Sequence, residues 1–202
     1  MTGDVGAAQS EDGGANEAGK TNPDSSEQRL GQTAIIDDPP SPFVAEWAAQ
    51  VGGRNAIDVA MGRGRHALML ARLGLRTFGV DRQFAAVRDS VRRARAENLV
   101  VRGWCGDLEQ IPLPRDAFDI VVVTRYLQRD LFPSIRSMAR RGGVVIYETF
   151  TVNQRSLGFG PTSPDHLLEP GELARRFDGF EVVFYEEVTA REAVARIVAR
   201  RV

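Results

Sequence analysis

Asp58-Val59-Ala60-Met61-Gly62-Arg63-Gly64-Arg65-His66-Ala67, preceded by Ala56-Ile57 and followed by Asp81, is the stretch on which the fold turns. Ala56 to Met61 is short and apolar apart from Asp58, which suits a strand buried on both faces. Glycine then punctuates twice, and Arg65 to Leu73 reads as a helix closed by Gly74. Glycines in a strand-to-helix turn let backbone approach a ligand closely, and the helix start offers unpaired N–H groups to polar or negative ligand atoms. Asp81 falls at the tip of the next strand, Arg76 to Val80, where a carboxylate can take both hydroxyls of a ribose. Together these residues describe a site for a nucleoside-containing cofactor.

Outward from that unit the pattern alternates. On the N-terminal side, Pro39-Pro40-Ser41-Pro42 starts a helix, with Ser41 as N-cap and Pro42 in the first helical position. Phe43, Val44, Trp47 and Val51 recur at helical spacing, and Gly52-Gly53 ends the run. On the C-terminal side, Gln83 to Glu97 reads as a helix, with Phe84, Val87, Val91 and Ala94 on its packed face and Arg88, Arg92, Arg93 and Arg95 in solvent. Strands follow at Leu99 to Trp104 and at Ala117 to Thr124, whose Ile120-Val121-Val122-Val123 is the most β-branched run in the chain. Leu131 to Arg141 carries helix signals, and Val144 to Phe150 reads as a strand. Strands alternating with helices predict a parallel sheet covered on both faces.

The last third breaks the rhythm. Residues 151 to 169 form a Gly/Pro/Ser-rich connection long enough for a lid or substrate wall, followed by a short helix from Gly171 to Phe177. Phe180 to Val188 and Glu192 to Ala199 read as strands separated by only Thr189 to Arg191, which forces an antiparallel hairpin.

Composition narrows the function classes. The 202 residues are 43% apolar and 26% charged, with a net charge of -1, as expected for one ordinary domain. Residues 1 to 40 hold eight acidic side chains against only Lys20 and Arg29, a balance of -6, and the remainder carries +5. Residues 1–33 are predicted to be a disordered acidic tail, since they hold almost nothing bulky and apolar, and they resemble neither a secretory leader nor a transit peptide. The functional domain is expected over 34–202. No stretch is long and apolar enough for a membrane span, and the modest positive balance of the remainder argues against nucleic acid. A single cysteine, Cys105, and two distant histidines, His66 and His166, give no metal centre, and they fit a reducing, cytoplasmic setting. Cys105 itself is expected to be a small buried residue.

Gly62-x-Gly64-x-x-Ala67 also fits a dinucleotide fingerprint, so the glycines alone leave a nicotinamide oxidoreductase open. Three features turn the reading. Asp58 lies inside the strand, where an acid suits a ligand with an ammonium group. Asp107 follows the third strand in Gly106-Asp107-Leu108, where it can accept from an exocyclic adenine amine. The terminal hairpin is the edge of one particular seven-stranded sheet.

On these residues the chain, from about residue 40 to 202, resembles a class I S-adenosylmethionine-dependent methyltransferase. Asp58 to Ala71 is similar to the glycine motif of the small bacterial tellurite-resistance-type methyltransferases, as are Arg125 to Arg129, Glu148-Thr149-Phe150, Gly160-Pro161 to Leu168 and Pro170 to Leu173. It departs from their motif at Ala60, where glycine is common, and at Met61. The resemblance implies an α/β three-layer sandwich, Rossmann-like, whose seven-stranded sheet is mostly parallel with the last strand antiparallel. It also implies S-adenosyl-L-methionine as cofactor. Asp58, Gly62 and Gly64 would shape the methionine end of the pocket, Asp81 would take the ribose, and Asp107 with Leu108 the adenine. Ala60, Arg63, Arg82 and Thr124 complete the expected cofactor contacts.

Methyl transfer from a sulfonium needs mainly alignment of acceptor, methyl carbon and sulfur. The catalytic candidates are therefore few: Tyr126 shaping the methyl channel and His166 as a base. Arg129 is expected to pair with Glu148, and His66 to pack or cap. The acceptor is expected to be a small molecule, since no added domain grips a macromolecule. A noncatalytic cofactor-binding or regulatory module is the alternative of a different class.

Overall fold

A computed structural model describes residues 39–202 of the chain. The predicted tail over 1–33, and the first residues of the predicted domain, lie outside the described residues. Twelve helices and strands follow one another: α1 (Pro42–Val51), β1 (Asn55–Val59), α2 (Arg65–Arg72), β2 (Arg76–Asp81), α3 (Phe84–Ala96), β3 (Val101–Cys105), β4 (Phe118–Thr124), α4 (Phe132–Met138), β5 (Ala139–Phe150), α5 (Glu172–Arg176), β6 (Phe180–Thr189) and β7 (Ala193–Arg201). The seven strands form one sheet in the order β3-β2-β1-β4-β5-β7-β6, and only β7 runs against its neighbours.

Alternating side chains of the central strands bury both faces, which makes three layers. Ala56, Ile120, Val122, Val144, Ile146 and Val198 meet α1 and α2 through Phe43, Val44, Met69 and Leu70. Ile57, Val121, Val123, Val145 and Tyr147 meet α4 and α5 on the other face through Phe132, Ile135, Leu173 and Phe177. Full burial of each such side chain stabilises the fold by about 1.5–3 kcal/mol, which explains why the β-branched run of β4 takes the middle of the sheet. Met61, just past β1, lies across β2 and β3. A Cβ on Gly79 would sit 2.1 Å from its sulfur, and one on Gly103 3.2 Å from its methyl.

Several expectations are corrected. The helix predicted to reach Arg141 ends at Met138, and β5 begins at once with Ala139. The sheet wins there because Ala139 pairs with Phe118 at a bulge and Gly143 passes so close that a Cβ would stand 2.7 Å from the Phe118 carbonyl. Arg140 then bonds Asp119, which also accepts from the Arg54 and Asn55 N–H groups, and these bonds hold its carboxyl below the usual range despite burial. The connection after β5 is not wholly irregular: it contains 3-10 turns at Val152–Leu157 and Pro164–His166 and a bridge between Thr151 and Leu168. Phe84 is 65% exposed, since the first helical residue of α3 stands at the edge of the layer; of the four residues expected on the packed face Val87 and Ala94 are buried, joined there by Ala86 and Ser90. Cys105 is exposed, its thiol donating to the Arg82 carbonyl. The Ser41 side chain makes no capping bond.

Candidate functional site

Sequence order reverses between β1 and β4, and an open α/β sheet leaves a crevice above its C-terminal strand ends at such a point. A cavity of about 570 Å³ opens there, within the range of small-molecule sites. Of the residues singled out in the sequence, Ala60, Asp81, Arg82, Asp107, Leu108, Tyr126 and His166 line it. Asp58, Gly62, Arg63, Gly64 and Thr124 lie around it without forming its wall.

The glycine turn is built by hydrogen bonds that start in the strands. Asp81 Oδ2 accepts from the Gly62 N–H at 2.8 Å, and its Oδ1 accepts from the Gln83 N–H at 2.8 Å, the position from which α3 starts. Asp58, 1% exposed, turns into the protein, and its Oδ2 accepts from the Ala67 N–H at 3.0 Å in the first turn of α2. Burial pushes the Asp58 carboxyl up to about 7, against the opposing effects of that bond and of Arg65.

The two turn glycines serve different ends. At Gly62, with φ of +52°, a Cβ would meet nothing within 4 Å, so the turn leaves open space. At Gly64, with φ of +75°, it would stand 1.9 Å from Ser90 Oγ, so α3 demands the glycine by close approach. Ala60 adopts φ of +55° without being glycine, at a cost of about 1–2 kcal/mol. Arg63 reaches across to α3, its carbonyl accepting from Arg93.

On the adenine side expected from the sequence, Asp107 closes a turn by accepting from the Glu109 N–H and the Gln110 side chain, beside buried Leu108. On the opposite wall, Tyr126 donates its hydroxyl to Gln128 at 2.8 Å, and the buried Tyr147 hydroxyl donates to the Tyr126 carbonyl at 2.7 Å. Burial, with Glu109 and Asp107 nearby, raises the Tyr126 phenol above its ordinary value, so it stays protonated. Arg125, with φ of +50°, pairs with Glu192 at 2.8 Å and lies over the Phe150 ring. Such strained backbone at a crevice rim is a frequent accompaniment of function.

His166 is exposed at the end of its 3-10 turn. Arg129 staples that turn, donating to the Pro164, Asp165 and Leu167 carbonyls, and both its Nε and Nη2 reach Glu172. The expected Arg129–Glu148 pair is thus corrected: Glu148 is held by Arg196 of β7, which stands opposite it in register. Burial alone would raise Glu172, but bonds from Arg129, the Glu169 N–H and Arg176 bring it down to about 2. His66 is buried, with both ring nitrogens bonded, to the Ser41 N–H and to Thr124.

Sequence reasoning missed Gln83 and Glu109 in the cavity wall. The signal for them was proximity, since each lies two residues beyond a strand-end carboxylate. Pro161 brings the connection after β5, expected as a substrate wall, to the same cavity. Among the described residues no group of three or more His, Cys, Asp or Glu side chains could hold a metal ion, and no helix is long and apolar enough to cross a membrane.

The chain has relatives in sequence and in fold. Residues 56–143 match a methyltransferase domain family. A tRNA U34 carboxymethyltransferase of Marinobacter nauticus is 30% identical over 122 residues, covering 54% of this chain and 36% of that protein. A ubiquinone biosynthesis O-methyltransferase of Bradyrhizobium diazoefficiens is 24% identical over 123 residues, covering 58% of this chain and 48% of its own. This chain therefore spans half or less of the length of these curated relatives. In fold it is similar to the crystal structure of TehB from Haemophilus influenzae, with a TM-score of 0.67 at 18% identity over 87% of this chain and 65% of the other. The family match makes residues 56–143, which carry the glycine turn and the strand-end carboxylates, a methyltransferase domain, set in the seven-stranded fold of its structural neighbours.

Proposed function

We propose that the protein moves the methyl group of S-adenosylmethionine to a small-molecule acceptor by in-line displacement, with positioning as its main catalytic contribution. One observation carries this: a single cavity above the point where strand order reverses is walled on one side by Asp81, Asp107 and Leu108 and on the other by Tyr126, Phe150 and His166. The residues fit the cofactor. Asp81 has its two oxygens fixed by backbone N–H groups and keeps lone pairs for a ribose diol, Gly62 leaves room beside it, and Asp107 stands where an adenine amine can donate. Bound there, the cofactor supplies an activated methyl on a positively charged sulfur.

The remaining work falls to the chain. Tyr126, its backbone held by Tyr147 and its hydroxyl by Gln128, walls the path between donor and acceptor. A protonated phenol does not act as a base at neutral pH, so His166 takes any proton the acceptor releases. Arg129 holds the turn that carries His166. Such positioning is worth on the order of 7–11 kcal/mol in well-aligned systems. The two relatives' names point to unlike acceptors, a tRNA base and a ubiquinone precursor. The cavity walls favour a small molecule. We place the reaction in the cytoplasm, where the exposed thiol of Cys105 stays reduced.

The test is calorimetric titration with S-adenosylmethionine and with NAD, followed by turnover to S-adenosylhomocysteine across thiols, metalloid oxyanions, amines and phenols. Binding of NAD alone would end this reading. Tight uptake of S-adenosylmethionine with no turnover on any acceptor would favour a noncatalytic binding module.

A further inference from the structure

His66 is the second residue of α2, 1% exposed, and both its ring nitrogens are engaged. The Ser41 N–H, at the start of α1, donates to Nε2 at 3.0 Å. A nitrogen that accepts carries no proton, so in the neutral ring the proton sits on Nδ1. The ring is neutral: burial, with Arg65 and Arg125 adding to it, brings its pKa down to about 3. Nδ1 stands 3.2 Å from Thr124 Oγ1 and therefore donates to it. The direction of every bond in the chain Ser41, His66, Thr124 is fixed by that first backbone N–H.

Thr124 is the last residue of β4, immediately before the cavity residues Arg125 and Tyr126. The register that pairs Val59 with Val123 sets it beside Ala60, across the point where strand order reverses. A hydroxyl that accepts from a ring N–H has its own hydrogen left to give. The other end of the relay is tied down as well, since Arg65 donates to the Pro39 carbonyl next to the start of α1.

We propose that His66 is a positioning residue of the cofactor site: it orients the Thr124 hydroxyl as a donor at the point where strand order reverses, where a lone-pair-bearing group of the bound cofactor can accept, and clamps the start of α1 to the same point. This rests on the methyltransferase reading and names a determinant of cofactor affinity that neither the glycine turn nor the strand-end carboxylates supply.

The experiment is calorimetric titration of S-adenosylhomocysteine into the full-length protein and its variants, with thermal melting alongside. In His66→Asn the side-chain amide stands where Nδ1 does and can still donate to Thr124. In His66→Gln it reaches toward Ser41 instead. The relay predicts affinity within about threefold of wild type for His66→Asn, and about a tenfold loss for His66→Gln and for Thr124→Val. The double variant His66→Gln/Thr124→Val should lose no more than either single one. A merely structural histidine would lower melting and affinity alike in both His66 variants, and the double variant would lose the product of the singles. Either result overturns the proposal, as does Thr124→Val binding like wild type. Should wild type itself take up no S-adenosylhomocysteine, the methyltransferase reading falls with it; should wild type and His66→Gln bind equally, only the relay falls.

Discussion

The Asp81 carboxylate holds the Gly62 N–H at 2.8 Å, so the tip of β2 and the turn after β1 are one rigid object. Replacing Asp81 with alanine removes the acceptor of two backbone donors, Gly62 and Gln83, and the group placed for the ribose. Affinity for S-adenosylmethionine should fall at least tenfold, with a stability loss of about 1–2 kcal/mol. Asp81→Asn keeps one acceptor oxygen and should fall in between. Calorimetry and chemical denaturation read the two effects separately, and unchanged affinity in Asp81→Ala would remove this carboxylate from the site.

Ala60 bears a left-handed backbone angle that glycine adopts at no steric cost. In Ala60→Gly, relief of about 1–2 kcal/mol of strain is offset by about 0.5–1 kcal/mol of extra freedom in the unfolded chain. Stability should hold or rise by up to about 1.5 kcal/mol. Because Ala60 lines the cavity, losing its methyl should also leave cofactor affinity equal or higher. A net destabilisation in thermal melting would show the angle is not strained.

Two buried groups pull the pH profile in opposite directions. Asp58 titrates near 3.8 unfolded and about 7 folded, so the native state holds the extra proton and stability falls as pH rises through that window. His66 titrates near 6.5 unfolded and about 3 folded, so the unfolded state holds the extra proton and stability rises with pH between them. From about pH 4 to 6.5 the two slopes, each roughly 1.4 kcal/mol per pH unit, cancel. Asp58→Asn should therefore gain stability as pH rises across this range, and His66→Asn should lose it. Urea midpoints at four pH values check both signs; parallel profiles would refute the assignment.

Arg129 joins Glu172 and the Leu167 carbonyl with one planar guanidinium. Lysine cannot bridge all three acceptors, so Arg129→Lys should cost about 1–2 kcal/mol, reduced from a fully buried pair because the arginine side chain is 32% exposed. Hydrogen exchange should quicken at Leu167 and Leu168, while cofactor affinity stays within about twofold. If exchange there is unchanged, Arg129 does not hold the His166 turn.

Where the chain was legible, periodicity and burial agreed. Ile120 to Val123 could only be a central strand, and three residues between the last two strands could only be a tight hairpin, here Ala190 to Glu192. The strand-end acids Asp81 and Asp107 could be placed because strand tips share one edge. Partners across the fold were not legible: Arg129 and Glu148 lie on neighbouring segments, yet each found a nearer opposite charge on α5 or β7, elements whose register sequence spacing does not encode. Nor could spacing tell that Asp58 would turn inward to Ala67, or that Gly64 is a glycine because of Ser90.

The thioether of Met61 occupies the room that Gly79 leaves on the neighbouring strand. Two positions, well separated in the chain, thus draw on one volume. A lineage that enlarges residue 79 must first shrink residue 61, so substitutions at these two places should arise in a fixed historical order, with the loop position leading.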